Sequence, residues 1–155
     1  MYCNQCEQTA KTGACEKIGV CGKTGEVAVL QDLLIHAVQG LALFAAEGRQ
    51  HGIVDGETDH FTMQAVFSTL TNVDFDPARF QELITRAVEL REAMKDKVAA
   101  AGGRTDFSEP AATFTPADTL EGLEAQGETL DFIRSLDDDE TIRSLKQTLL
   151  YGLKG

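Results

Sequence analysis

Apolar positions in this chain recur at helical rather than strand spacing. From Val27, the residues Leu30, Leu34, Val38, Leu41 and Phe44 follow at three- and four-residue steps, and Leu33, Ile35 and Leu43 widen the face. The stretch therefore reads as a long central helix, buried over most of its surface. Thr24 stands where an N-cap belongs, and Gly48 with His51-Gly52 marks the end. Gly40 inside this helix costs about 1 kcal/mol relative to alanine, which predicts close approach by a neighbouring helix or by the segment before residue 24. A second helix is expected from about residue 58 to about residue 71, with Phe61, Ala65, Val66 and Leu70, or alternatively Met63, Phe67 and Leu70, turned inward. Asp76-Pro77 opens a third, because Asp caps orphan N–H groups and Pro suits the first turn. That helix carries Phe80, Leu83, Ile84, Ala87, Leu90, Met94 and Val98 and stops at Gly102-Gly103. Three antiparallel helices with short connections predict an all-α fold, with a three-helix bundle over residues 24–102.

Beyond the bundle the pattern thins. Residues 103–117 read as linker, a short helix is expected at residues 118–125, and a second short element at 130–136. The acidic run 137–140 suits a solvated helix N-terminus. Residues 103–141 are thus assigned as a linker with short helices. Residues 142–155 resume an amphipathic helix, and Leu145, Leu149, Leu150 and Leu153 echo Leu30, Leu34, Ile35 and Val38 at a constant offset of 115. Such an echo predicts the start of a second helical repeat, truncated at Gly155. An uncovered apolar face on that helix further predicts a homodimer formed through it.

The first 23 residues follow neither period. All four cysteines of the 155-residue chain lie there, Cys3, Cys6, Cys15 and Cys21, spaced Cys-x2-Cys-x8-Cys-x5-Cys. A glycine-bearing segment this short cannot form its own hydrophobic core, so an inorganic centre or cross-links must order it. Three chemistries compete. Two disulfides fit the count but not the reducing compartment expected of a chain without a signal-like leader. A four-thiolate zinc site usually presents two CxxC knuckles, and only Cys3 and Cys6 form one. An iron–sulfur cluster needs thiolates at separated corners, and one close pair with two looped cysteines suits it.

Charge narrows the partners. The chain carries 14 basic against 25 acidic residues, a net charge of −11, which disfavours nucleic acid and anionic membrane surfaces. Residues 1–23 run against this trend, with Lys11, Lys17 and Lys23 facing Glu7 and Glu16 for a charge of +1, while the remainder stands at −12. A locally basic wrapping would favour an anionic cluster. With no apolar run of spanning length uninterrupted by polar residues, a cytoplasmic location is expected. His36, His51 and His60, with Glu47 one turn before His51, lack the further ligands of a metal site, and His36 reads as a core histidine. Tyr2 and Asn4, beside the first ligands, are candidates to shield a centre or to hydrogen-bond it.

The segment CNQCEQTAKTGACEKIGVCGKTGEVAVLQDLL, with SLKQTLLYGLKG near the end, resembles the N-terminal region of the hybrid cluster protein family, the hydroxylamine reductases, over essentially the whole chain. Carbon monoxide dehydrogenases are similar in architecture. The resemblance implies that Cys3, Cys6, Cys15 and Cys21 ligate a [4Fe-4S] cluster, the cubane form being that of members with this short loop spacing. It further implies an electron-transfer domain of an enzyme reducing hydroxylamine to ammonia, with nitric oxide a second substrate. C-terminal α/β domains and a redox donor protein would be its partners. The catalytic hybrid cluster in that family draws its Cys, His and Glu ligands from later domains, and no cysteine follows Cys21 here. This chain alone is therefore expected to be non-catalytic. The contrasting expectation, from the residues alone, is a helical interaction module stapled by zinc and without redox activity.

Overall fold

A computed structural model describes residues 1–10, 13–130, 132 and 139–155. The short element expected at 130–136 lies outside the described residues apart from Leu130 and Phe132, as do Asp137 and Asp138 of the acidic run. Among the described residues the fold is all-α, with six helices and no strand beyond one isolated bridge.

Helix α1, Gly25–Gln50, is the axis of the molecule. Thr24 caps it, its hydroxyl accepting the Val27 N–H at 3.2 Å. Leu30, Leu34, Ala37 and Leu41 have no solvent exposure. They pack mainly against α3, Pro77–Ala100, whose Phe80, Ile84, Ala87 and Val98 are equally buried. Helix α2, Gly56–Ser68, lies alongside and contributes Phe61 and Ala65 to the same core. Asp55 and Asp76 cap α2 and α3 by accepting the Thr58 and Ala78 N–H groups at 2.9 and 3.0 Å. Among the described residues α1 alone has the length and hydropathy of a bilayer span, and 72% of its most apolar window is buried inside the molecule. That burial is what a core helix requires, since the flanking helices take the place of lipid.

The stretch that reads as linker is packed. Helix α4, Pro110–Thr113, presses on α1 with Ala111 and Ala112 buried. The buried Arg91 of α3 reaches under it and donates to the carbonyls of Ala111 at 3.2 Å and Phe114 at 2.7 Å. On either side, Phe107 meets Phe44 edge-on with ring centroids 5.0 Å apart, and Phe114 meets His36 at 5.4 Å. The close approach signalled by Gly40 is to this short helix, since a Cβ there would stand 2.1 Å from the Ala111 carbonyl oxygen. Four residues give no helical period, which is why the pattern reads as loop. Helix α5, Leu120–Leu130, follows and buries Leu123 against α1.

Helix α6, Glu140–Lys154, is capped by Asp139, which accepts the Ile142 N–H at 3.0 Å. Its two faces differ sharply. Ile142, Leu145, Leu149 and Leu153 are exposed, whereas Gln147, Leu150, Tyr151 and Lys154 turn toward the N-terminal segment and α1.

Candidate metal centre

The cysteine segment is held by backbone rather than by packing. Cys3 and Cys15 exchange hydrogen bonds, Cys15 N–H to the Cys3 carbonyl at 2.8 Å and Cys3 N–H to the Cys15 carbonyl at 3.1 Å. In such an antiparallel bridge the two side chains leave on the same face. Cys15 is buried, Cys3 and Cys6 are half-buried, Cys21 is exposed, and all four are free thiols. The disulfide alternative finds no bond here.

Two features are shaped around sulfur. The Ala10 N–H donates to Cys15 Sγ at 3.5 Å. Backbone donation from Ala10, then from Val20, holds the Cys15 thiol below its ordinary pKa, burial opposes the shift, and Lys23 adds a smaller lowering. The Val20 contact brings the Cys21 loop onto Cys15. At Gly19 a Cβ would stand 3.0 Å from Cys21 Sγ and 3.1 Å from the Lys23 backbone nitrogen, so a side chain there would press on that sulfur. Donors aimed at sulfur and a cradle that a side chain would fill are the supports an iron–sulfur centre takes from its protein. Among the described residues no three His, Cys, Asp or Glu side chains close on a single metal position. Cys15 is thus brought to Cys3 and to the Cys21 loop, and Cys6 stays near Cys3 by its two-residue spacing.

Beneath Cys3 lies a recess that sequence reasoning did not foresee. Tyr2, Lys23, Gln31, Asp32, Gln147, Tyr151 and Lys154 line it with Cys3. Lys23 and Lys154 are 1% and 3% exposed, rare for lysine. Lys23 Nζ donates to Gln31 Oε1, and Gln31 donates in turn to the Asp74 carbonyl at 3.2 Å. Turned so that its oxygen faces Lys154, the Gln5 amide joins α6 to the C-cap of α2, accepting from Lys154 Nζ at 3.0 Å and donating to the Thr69 carbonyl at 3.2 Å, which Lys154 Nζ itself approaches at 3.5 Å. The Tyr151 hydroxyl donates to Asn4 Oδ1. Asn4 and Gln5 are the two residues between Cys3 and Cys6, so α6 grips the knuckle itself. Burial pushes Asp32 up to about 6, against the pull of Lys154 and Lys23. Burial likewise lowers Lys154 to about 8, and the Asp32 carboxylate opposes that shift. Gln147 Nε2 is buried without a partner among the described residues.

The histidines stand apart. His36 is 7% exposed beside Phe114, and burial, then Arg91, lowers its pKa. His51 pairs with Glu47 at 3.1 Å, and Glu47 also accepts the Arg104 N–H at 3.0 Å. Of the two neighbours singled out in sequence, Asn4 is committed to Tyr151, and Tyr2, though 49% exposed, borders the recess.

The fold and site together define a class of all-α domain with an N-terminal four-cysteine segment, backbone donors and a close-set glycine at its sulfurs. Residues 1–155 match the model of the Prismane/CO dehydrogenase family, and the chain belongs to that family, whose proteins are iron–sulfur proteins. It is 63% identical to a hydroxylamine reductase of Syntrophobacter fumaroxidans, covering all of this chain and 29% of that protein. Hydroxylamine reductases of Methanocella arvoryzae and Trichormus variabilis are 49% and 43% identical, again over the whole chain and 29% of theirs. The chain thus spans under a third of the length of these relatives.

Proposed function

We propose that this chain is the N-terminal electron-transfer domain of a hydroxylamine reductase, with Cys3, Cys6, Cys15 and Cys21 holding a [4Fe-4S] cluster. The observation that carries the reading is the Cys3–Cys15 bridge, which turns two ligands to one face while Ala10 and Val20 present N–H groups to the second of them. When bound, such a cluster accepts and releases one electron. The residues here would fix the thiolates, stabilise their charge through N–H···S bonds, and limit water on the buried Cys15 side. In this reading residues 1–23 wrap the cluster, 24–102 form the supporting bundle, 103–141 connect, and 142–155 open a second repeat.

Reduction of hydroxylamine to ammonia, and of nitric oxide, would occur at a second centre carried by the rest of the relatives' length, because no cysteine follows Cys21 to ligate it here. A donor protein would feed this cluster, in the cytoplasm, where four thiols stay reduced.

Anaerobic purification with iron, sulfide and zinc analysis tests the assignment. The expected product is brown and iron-loaded, and Cys15→Ser loses most of the broad visible absorption while residues 1–23 become protease-sensitive. A colourless, iron-free chain with one zinc would establish the zinc-stapled module instead. Full cluster occupancy in Cys15→Ser would remove that residue from the ligand set.

A further inference from the structure

We infer that Lys154, at the far end of the chain, sets the reduction potential of the centre held by the cysteine segment, with Asp32 acting against it. The inference rests on the cluster reading above and deepens it. Three observations support it. Lys154 is buried on the recess that Cys3 lines. Its ammonium donates to the Thr69 carbonyl at 3.5 Å and, with the Gln5 amide oxygen turned toward it, to Gln5 at 3.0 Å, between Cys3 and Cys6, and so is held beside two ligands. Lys23 and Asp32 line the same recess, so two buried cations face one carboxylate, a positive balance in a chain whose net charge is −11.

A cluster with four thiolate ligands is anionic, and reduction adds one electron to it. A fixed cation shielded from water therefore stabilises the reduced form more than the oxidised form and raises the potential. A carboxylate at similar range does the reverse. Solvated surface charges are screened and have little such effect. Placement at the C-terminal end of α6 makes the tuning depend on that helix being docked, which the Tyr151 to Asn4 hydrogen bond secures. Lys154 is thus a positioning and tuning residue rather than a ligand.

The test is a potentiometric titration, followed by visible absorption and by electron paramagnetic resonance of the reduced cluster, on the 155-residue chain reconstituted anaerobically with iron and sulfide. Lys154→Met should shift the midpoint to more negative potential and Asp32→Asn to more positive potential. Lys154→Arg should stay near the wild type, as should Lys95→Met on the exposed face of α3. Opposite shifts from the two neutralisations separate charge from packing, since a loosened fold would move both the same way. If Lys154→Met takes up no cluster, Asp32→Asn and Lys154→Arg still decide, and an Asp32→Asn midpoint at or below the wild-type value overturns the inference. Loaded variants all at the wild-type potential overturn it too, leaving the cluster assignment intact. A wild-type chain that binds no cluster removes that assignment, and the inference with it.

Discussion

Gly40 shows how much one missing methyl group can carry. Its Cβ position is 2.1 Å from the Ala111 carbonyl oxygen and 2.8 Å from the carbonyl carbon, both backbone atoms that no rotamer change can move aside. Arg91 donates to the same carbonyl, and its Cδ lies 3.3 Å from the Gly40 Cβ position. Gly40→Ala gains about 1 kcal/mol of helix propensity, but it forces α4 outward, and such overpacking costs about 1–3 kcal/mol before the Arg91 hydrogen bonds are counted. A net loss of stability is expected, read as a lower urea midpoint with an unchanged slope. An equal or higher midpoint would show that α4 retreats freely. That a neighbour approaches Gly40 is legible in the sequence, because glycine in a long apolar helix asks for one. Which neighbour approaches is not, because Ala111 and Ala112 are too few to make a period. Gly19 is a milder case, its Cβ position 3.0 Å from a sulfur and 3.1 Å from a backbone nitrogen.

At the level of elements, the starts of α1 and α3 are legible in the sequence, whereas the Asp55 cap of α2 and the ties between helices are not. Thr24 and Asp76 cap the helices they were expected to open, since capping is a local property of a side chain and the next few N–H groups. Asp55 does more than cap α2. Lys97 reaches it from α3, and that hydrogen bond first, then the Thr58 N–H, holds the Asp55 carboxyl down to about 2. Because the folded value lies below the ordinary 3.8, the stabilisation is fully present above about pH 4 and is lost as pH falls through about 2. Asp55→Ala should therefore cost about 1 kcal/mol near neutrality, mostly the lost cap, since Lys97 is half exposed and its ion pair is screened. Urea unfolding at pH 6 and at pH 2 should show the difference from wild type shrinking toward the acid side. A constant difference would place the effect in packing rather than in the carboxylate.

At the scale of the molecule, α6 joins the cysteine segment to an unpartnered surface. Its inward face was hidden from sequence reasoning because Tyr151 and Lys154 look like ordinary surface residues until a segment more than 140 positions away folds against them. Its outward face was legible, since Ile142, Leu145, Leu149 and Leu153 recur at three- and four-residue steps, and all four are exposed, three of them by more than 60%. Adjoining apolar side chains on one helix face gain by leaving water, at about 25 cal/mol per Å² buried. In relatives more than three times as long, additional chain is available to cover such a face. In the 155-residue chain a second copy is the nearest occupant, and pairing α6 with α6 about a two-fold axis satisfies both stripes at once. Light scattering should show a concentration-dependent dimer, and Leu145→Glu with Leu149→Lys should return it to monomer. Because these side chains lie opposite Tyr151 and Lys154, the double variant should keep its grip on Asn4 and Gln5, and the metal uptake proposed for the cysteine segment should match that of the wild type. A wild type that stays monomeric at high concentration contradicts the pairing. Loss of metal uptake in a well-folded double variant would mean that the two faces of α6 are not independent.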